Sequence, residues 1–334
     1  VEPIQVGVCI RPNERKYKMR IGLMVEGQHG LTWEKWIHIL KTAERLNFPS
    51  LFRSDHYYIF RRQQESLDAF LSFAIAARET ESIRFGPLVS PVTFRSPADI
   101  GRMSAQIDLL SHGRFVLGLG AGWYKAEHDS YGIPFPPVRE RFDRLDEAIE
   151  VIKTLWGQGP ASYEGQYYSL KEADCLPKPS NGTETPLLIG GTGEKRSIPM
   201  AAKYADEWNC VNLPLKVFAK KSKVLDKACE VIGRDPETIS RSMMSMGLVA
   251  SNLRSLDRLT KFQMGLNGLT GDPVAYRNEM SDKHGFMVGL TTEIADKLGE
   301  FSDLGLDEIQ FQWFNYASDE VPEYLASDLR PQVT

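Results

Sequence analysis

The sequence predicts an α/β fold: a (β/α)8 TIM barrel with insertions after its fourth and seventh strands. Three observations carry this expectation. Short β-rich runs alternate with helix-period runs, and that alternation builds a parallel sheet because parallel neighbours need crossover connections. Eight strands can be counted, more than an open doubly wound sheet usually holds. The length, 334 residues, lies in the usual range for one closed barrel of eight βα units.

The elements follow in order. The first run, residues 20–26 (RIGLMVE), precedes a helix expected over 32–46, where Trp33, Trp36, Leu40 and Ala43 share a face. Thr32 stands at its N-cap position, and Glu34 lies in the first turn near the positive end of the dipole. The second run, 50–53, leads into Ser54, Asp55 and His56, with a helix over about 65–80. The third run is 83–90. Ser96-Pro97-Ala98-Asp99 then starts a helix with a Ser cap, Pro at the first helical position and an acid three residues after the cap. Ile100, Met103, Ile107 and Leu110 continue it, and His112-Gly113 ends it. The fourth run is 114–120, followed by a long helix marked by Phe142, Leu145, Ile149, Ile152 and Trp156.

Residues 157–186 are polar and rich in Gly and Pro, and read as an inserted hairpin or loop. The fifth run (187–191) precedes a helix over 195–204, and the sixth (207–211) precedes one over 215–232. The seventh run is 243–250. Residues 254–286 carry a mixed pattern, and the second insertion is placed at 252–289. A last helix over 292–304 and an eighth strand over 308–314 complete the series. The domain expectation is one barrel over 18–334, preceded by an extension (1–17) of unassigned role.

Composition excludes several classes. Apolar residues make up 42% and charged residues 25%, with 27 Gly and 19 Pro, which is neither disordered nor collagen-like usage. Forty Lys and Arg against 44 Asp and Glu give −4, so there is no basic excess for a nucleic acid. Cys9, Cys175, Cys210 and Cys229 form no C-x-x-C pair and read as reduced thiols of a cytoplasmic protein. The longest apolar stretch, 69–77, is too short to span a bilayer, and the N-terminus lacks a signal-peptide layout. A homodimer is the default expectation for assembly.

A barrel carries its active site at the strand ends and in the loops after them. Glu26, Gly27, Gln28 and His29 follow the first run, and Asp55, His56, Tyr57, Tyr58 and Phe60 the second. Ser90, Pro91 and Thr93 follow the third, and Gly118 to Trp123, with Glu127 and His128 beyond, the fourth. Gly190-Gly191-Thr192-Gly193 follows the fifth, Asn209 and Asn212 the sixth, and Asn315 the eighth. No H-x-H pair or H-E-x-x-H occurs, so no metal is expected. No run ends in a Schiff-base lysine. Glu26 and Asp55 could form a hydrolytic carboxylate pair, a weak signal.

The Gly190–Gly193 turn joins a strand to a helix start, where backbone N–H groups suit a phosphate. A tight turn that needs Gly for steric reasons alone explains it at least as well. His56 fits either a proton relay or a simple loop contact. The residues alone therefore support a barrel enzyme with a phosphate-bearing ligand.

Several segments extend this reading. LFRSDHY (51–57), RFGPLVSPVTFRSP (84–97), HGRFVLGLGAGWYKAEHDSYGIPF (112–135), RFDRLDEAIEVIKTLW (141–156), LPKP (176–179) and LLIGGTGEKRS with AAKYADEWN (187–209) occur in order. Together they resemble the bacterial luciferase-like monooxygenase superfamily, most of all its F420-dependent (deazaflavin) oxidoreductase branch. The resemblance implies hydride transfer between coenzyme F420 and a small organic substrate, with FMN-dependent monooxygenation as the alternative. It implies that Asp55 and His56 lie at the cofactor's reactive edge and that Leu88-Val89 is a non-prolyl cis peptide beneath the ring. It further implies that Ser90, Ala121 and Gly122 stand beside the ring and that Gly190, Gly191, Thr192 and Gly193 cradle the phosphate. Glu26, Gln28, Tyr57 and Phe60 are the expected substrate-pocket residues. Two departures are plain. Trp123 stands where some sugar-phosphate dehydrogenases of the superfamily carry Glu, and the Arg that luciferases proper carry near Ala121 is absent.

Overall fold

The alternation is present in the computed structural model, which describes residues 19–60, 64–182 and 184–333. The expected extension 1–17 and Cys9 lie outside the described residues. Strand β1 (Arg20–Val25) and helix α1 (Trp33–Arg45) open the series, and Thr32 caps α1 by accepting from Lys35 N. Strand β2 (Ser50–Arg53) is followed by α2 (Ala69–Glu79), which starts four residues later than the pattern suggested. Asp68 sets that boundary, because its carboxylate accepts from Leu71 N and so takes the cap position.

The third run is split into β3 (Arg84–Pro87) and β4 (Ser90–Pro91), with a cis Leu88–Val89 peptide between them. Helix α3 (Pro97–Leu110) begins at the Ser96 cap, and His112 and Gly113 leave it with positive φ. Strand β5 is Leu117–Gly120. Two helices follow it, a short α4 (Lys125–Ser130) with no counterpart in the sequence reading and the long α5 (Val138–Trp156).

The first insertion is an antiparallel hairpin of β6 (Ala161–Glu164) and β7 (Ser169–Ala173). Glu147 of α5 anchors it by accepting from the backbone N–H groups of Tyr167 and Tyr168. Next come β8 (Leu187–Gly190), α6 (Ser197–Tyr204), β9 (Glu207–Val211), α7 (Leu215–Val231) and β10 (Ser240–Ala250). The mixed second insertion resolves into α8 (Leu253–Leu266), α9 (Pro273–His284) and β11 (Met287–Leu290), the last pairing parallel with β10. Helix α10 (Thr291–Asp303), strand β12 (Glu308–Trp313) and the short helices α11 (Glu320–Tyr324) and α12 (Arg330–Val333) close the chain.

The sheet runs β3-β2-β1-β12-β10-β9-β8-β5-β4. It closes on itself because β3 pairs with β2 and bridges to Phe115, while β4 pairs with β5. The strands are buried on both faces, as a parallel barrel requires. Met24, Phe52, Leu88, Val116 and Leu188 pack together as a distinct apolar cluster, with Val89 and Met244 against it. Among the described residues no helix is long and apolar enough to cross a membrane.

Candidate active site

The ends of β1, β2, β4, β5, β8 and β9, with Met244 from the middle of β10, frame a cavity of about 450 Å³. Leu88, Val89 and Met244 give it an apolar side, and Val89 fits there because glycines face it. A Cβ on Gly120 would stand 2.6 Å from Val89 Cγ2, and one on Gly190 would stand 3.0 Å from Val89 Cγ1. The glycines after the fourth and fifth runs thus have a steric role at the cavity wall.

His56 reaches the cavity from the loop after β2. Its Nδ1 lies 2.9 Å from Glu127 Oε2, and its ring meets Trp123 edge-on at 5.7 Å. Glu127 is fully buried on α4. Its Oε1 accepts from the backbone N–H groups of Tyr57 and Tyr58. A carboxylate that serves as acceptor at both oxygens fixes hydrogen on Nδ1 and leaves Nε2 as the basic atom. His128 makes a different pair of bonds. Its Nδ1 donates to Tyr124 O at 2.9 Å, and its Nε2 is 2.7 Å from Thr93 Oγ1, so its ring is committed to structure.

Glu26 lines the cavity on the β1 side. Gln28 Nε2 donates to Glu26 Oε2 at 2.8 Å and Gln312 Nε2 donates to Glu26 Oε1. Ser54 Oγ, bonded by Gly27 N, donates in turn to Gln28 Oε1. The carboxylate is thus held by two neutral amides.

Residues 19–278 match the model of the luciferase-like monooxygenase family. The chain belongs to that family. It is 33% identical over 167 residues to an F420-dependent glucose-6-phosphate dehydrogenase of Intrasporangium calvum, covering 49% of this chain and 48% of that one. It is 30% identical over 226 residues to the pyrimidine monooxygenase RutA of Yersinia enterocolitica, covering 65% and 58%. The chain therefore spans about half the length of the curated relatives it matches. Among solved structures, an F420-dependent secondary alcohol dehydrogenase shares the fold with a TM-score of 0.78 at 20% identity, over 95% of this chain and 99% of that one.

Within this luciferase-like barrel, the expected site residues fall into two groups. His56, Leu88, Val89, Ala121, Gly122, Gly190, Gly191 and Glu26 line the cavity. The others stand behind or beside it. Asp55 is buried in an ion pair, with Arg95 Nη1 2.6 Å from its Oδ2, and Ser90 Oγ donates to the same oxygen at 2.7 Å. Arg95 also binds Asp68 at 2.7 Å. Burial works against the charged guanidinium, but Asp55 and Asp68 outweigh it and hold Arg95 above the ordinary arginine value. Asp55 and Ser90, expected at the reactive edge and beside the ring, are engaged with Arg95 and with each other and are not among the residues that line this cavity.

Thr192 and Gly193 are absent from the wall, because the loop turns onto the start of α6. There Gly193 O accepts from Ile198 N at 3.0 Å and Gly193 N donates to Ser197 Oγ at 3.3 Å. Tyr57 is stacked on Phe94 at 4.7 Å, is packed against Tyr131, and is not among the residues that line the cavity. Phe60 is 81% exposed and borders a second cavity with His29, Gln263 and Phe314. Gln28 acts through Glu26. The sequence reading gave no role to Glu127 or Arg95. Glu127 was visible as an acid after the fourth run, but only α4 carries it back across 71 positions to His56.

Proposed function

We propose that this chain is an oxidoreductase that moves a hydride between the deazaflavin coenzyme F420 and a small organic substrate. The observation that carries the reading is an imidazole, His56, that lines a largely apolar barrel-mouth cavity while its Nδ1 is bonded to a buried carboxylate. The dehydrogenase relatives named for F420 support it. The cavity suits such a group. It offers Leu88 and Val89 to a flat apolar ring at one part and Gly190, Gly191 and Ser197 to a polar chain at another.

A bound deazaflavin supplies a ring carbon that accepts or returns a hydride. The proton is left to the chain. His56 takes it or gives it at Nε2, and Glu127 steadies the imidazolium that forms. Glu26, fixed by Gln28 and Gln312, accepts a hydrogen bond from the substrate. Asp55, Arg95 and Ser90 keep the segment under the cavity in place.

The second reading is a reduced-FMN-dependent monooxygenase, favoured by the longer match to RutA. Fluorescence titration of the protein with F420 and with FMN, each in its reduced and oxidised form, separates the two. Saturable F420 quenching at micromolar concentration or below is the expected result. Tight FMN binding without F420 binding would overturn the deazaflavin reading in favour of the monooxygenase.

A further inference from the structure

A second cavity, of about 280 Å³, opens beside the first. Ile59 lines both, so the two are neighbours across the loop that carries His56. His29 and Phe314, from the loops after β1 and β12, meet edge-on at 5.9 Å in its wall, and Phe60 stands at its border. Helix α8, from the second insertion, supplies Gln263 and Asn267. Among the described residues that line it, none is Asp, Glu, Lys or Arg.

Gln263 is the residue in this wall that lacks a partner. The stripe that α8 turns inward is Leu256, Thr260, Gln263 and Met264, and such a stripe is ordinarily apolar. Thr260 satisfies its hydroxyl on Leu256 O at 2.7 Å. Asn267 is engaged with Tyr276. Gln263 is 4% exposed, and among the described residues its side-chain amide has no hydrogen-bond partner. A carboxamide carries two donors and an acceptor, and leaving them unpaired at that depth is costly. An apolar residue of the same size would fill the stripe without that cost.

We propose that the second cavity binds the end of the substrate remote from the reacting atoms, and that Gln263 selects there for a flat, neutral group with a donor and an acceptor side by side, such as a carboxamide or a lactam. The Gln263 amide gives one hydrogen bond to such a group and takes one from it. The rings of His29, Phe314 and Phe60 offer apolar surface to its faces. A carboxylate presents acceptors only and sets a charge among neutral walls, and a ketone leaves the Gln263 oxygen unpaired. That the ligand is a substrate rests on the oxidoreductase reading above. The site itself needs no cofactor.

Three probes of one shape test the site: benzamide, benzoate and acetophenone, each titrated into the cofactor-free protein with Tm as the readout. Benzamide raises Tm saturably at millimolar concentration and binds about tenfold or more tighter than the other two. In Gln263→Leu and Gln263→Met the three affinities fall to within about threefold of one another. A preference for benzamide that survives either substitution overturns the proposal. Equal affinity of the wild-type protein for the three probes, or tighter binding of benzoate, overturns it whatever the variants do.

Cofactor titration separates this site from the first cavity. Saturating benzamide is expected to leave the affinity for F420 or FMN unchanged, and competition between them would place benzamide in the first cavity and overturn the proposal. If neither cofactor binds, the oxidoreductase reading fails, while the benzamide ranking and its loss in Gln263→Leu still decide the second cavity.

Discussion

Glu127 shows how one buried side chain can set the chemistry of another. Its two oxygens accept one bond from His56 Nδ1 and two from the backbone after β2, so imidazole tautomer and loop position are fixed together. Replacing it therefore has two separable effects. Glu127→Gln keeps an acceptor but puts an amide against either the imidazole or the loop, so kcat should fall about ten- to a hundredfold with KM little changed. His56→Ala should lower kcat by about 10² or more. If Glu127→Gln loses activity only through KM, with kcat intact, the positioning role is wrong. Legibility at this scale was uneven. His56 stood out because a histidine at a strand end is chemically conspicuous. Asp55 stood out equally, yet its neighbour Arg95 neutralises it, and no local pattern announces an ion pair across 40 positions.

Elements reveal why the glycines of the third and fourth runs are there. A Cβ on Gly118 would lie 2.0 Å from Pro87 O, and one on Gly86 would lie 1.9 Å from Val116 O. Both neighbours are backbone, so neither can swing aside. The close approach lets Val116 N donate to Phe85 O at 2.9 Å and helps close the barrel. Gly118→Ala should therefore cost about 3 kcal/mol or more, read as a fall in the urea midpoint. A loss below about 0.5 kcal/mol would show that β3 and β5 can separate without penalty. These glycines look in sequence like part of a G-x-G-x-G ligand loop, and only the strand pairing separates Gly118, a contact residue, from Gly122 on the cavity wall. Caps were more legible than periods. Thr32 and Ser96 bind the N–H groups their positions imply. Helix α9 buries only Tyr276, so its apolar stripe is too thin to read even though Asp272, Pro273 and Gly285 mark both of its ends.

At the scale of the whole barrel, chemistry and stability occupy opposite ends. The alternation of strands and helices was legible because each unit carries its own apolar face and α1, α2 and α3 carry their own caps, whereas the cavity depends on contacts between distant units. The bottom end is formed by strand starts. Glu308 of β12 is fully buried and accepts from Arg20 Nε of β1 at 2.8 Å and from Ser50 Oγ of β2. Arg84 of β3 reaches Glu308 at 3.5 Å and Glu207 of β9 at 2.8 Å. One charge cluster thus ties five strands. Burial alone would raise the Glu308 carboxyl, but Arg84, Arg20 and Ser50 outweigh it and hold it below the usual glutamate value. A folded pKa below the unfolded one stabilises the protein above the unfolded value of about 4.3, and that stability disappears as pH falls through the folded value. Glu308→Gln should lower stability at pH 7 by about 2–4 kcal/mol, because Arg20 loses its partner while Arg84 keeps Glu207. The variant should also lose less further stability than the wild-type protein between pH 6 and 3, since the group that titrates has been removed. Its activity per folded molecule at pH 7 should be unchanged, because the cluster is at the far end of the strands from His56. Equal acid slopes for the two proteins, measured by melting across that range, would place the acid sensitivity elsewhere.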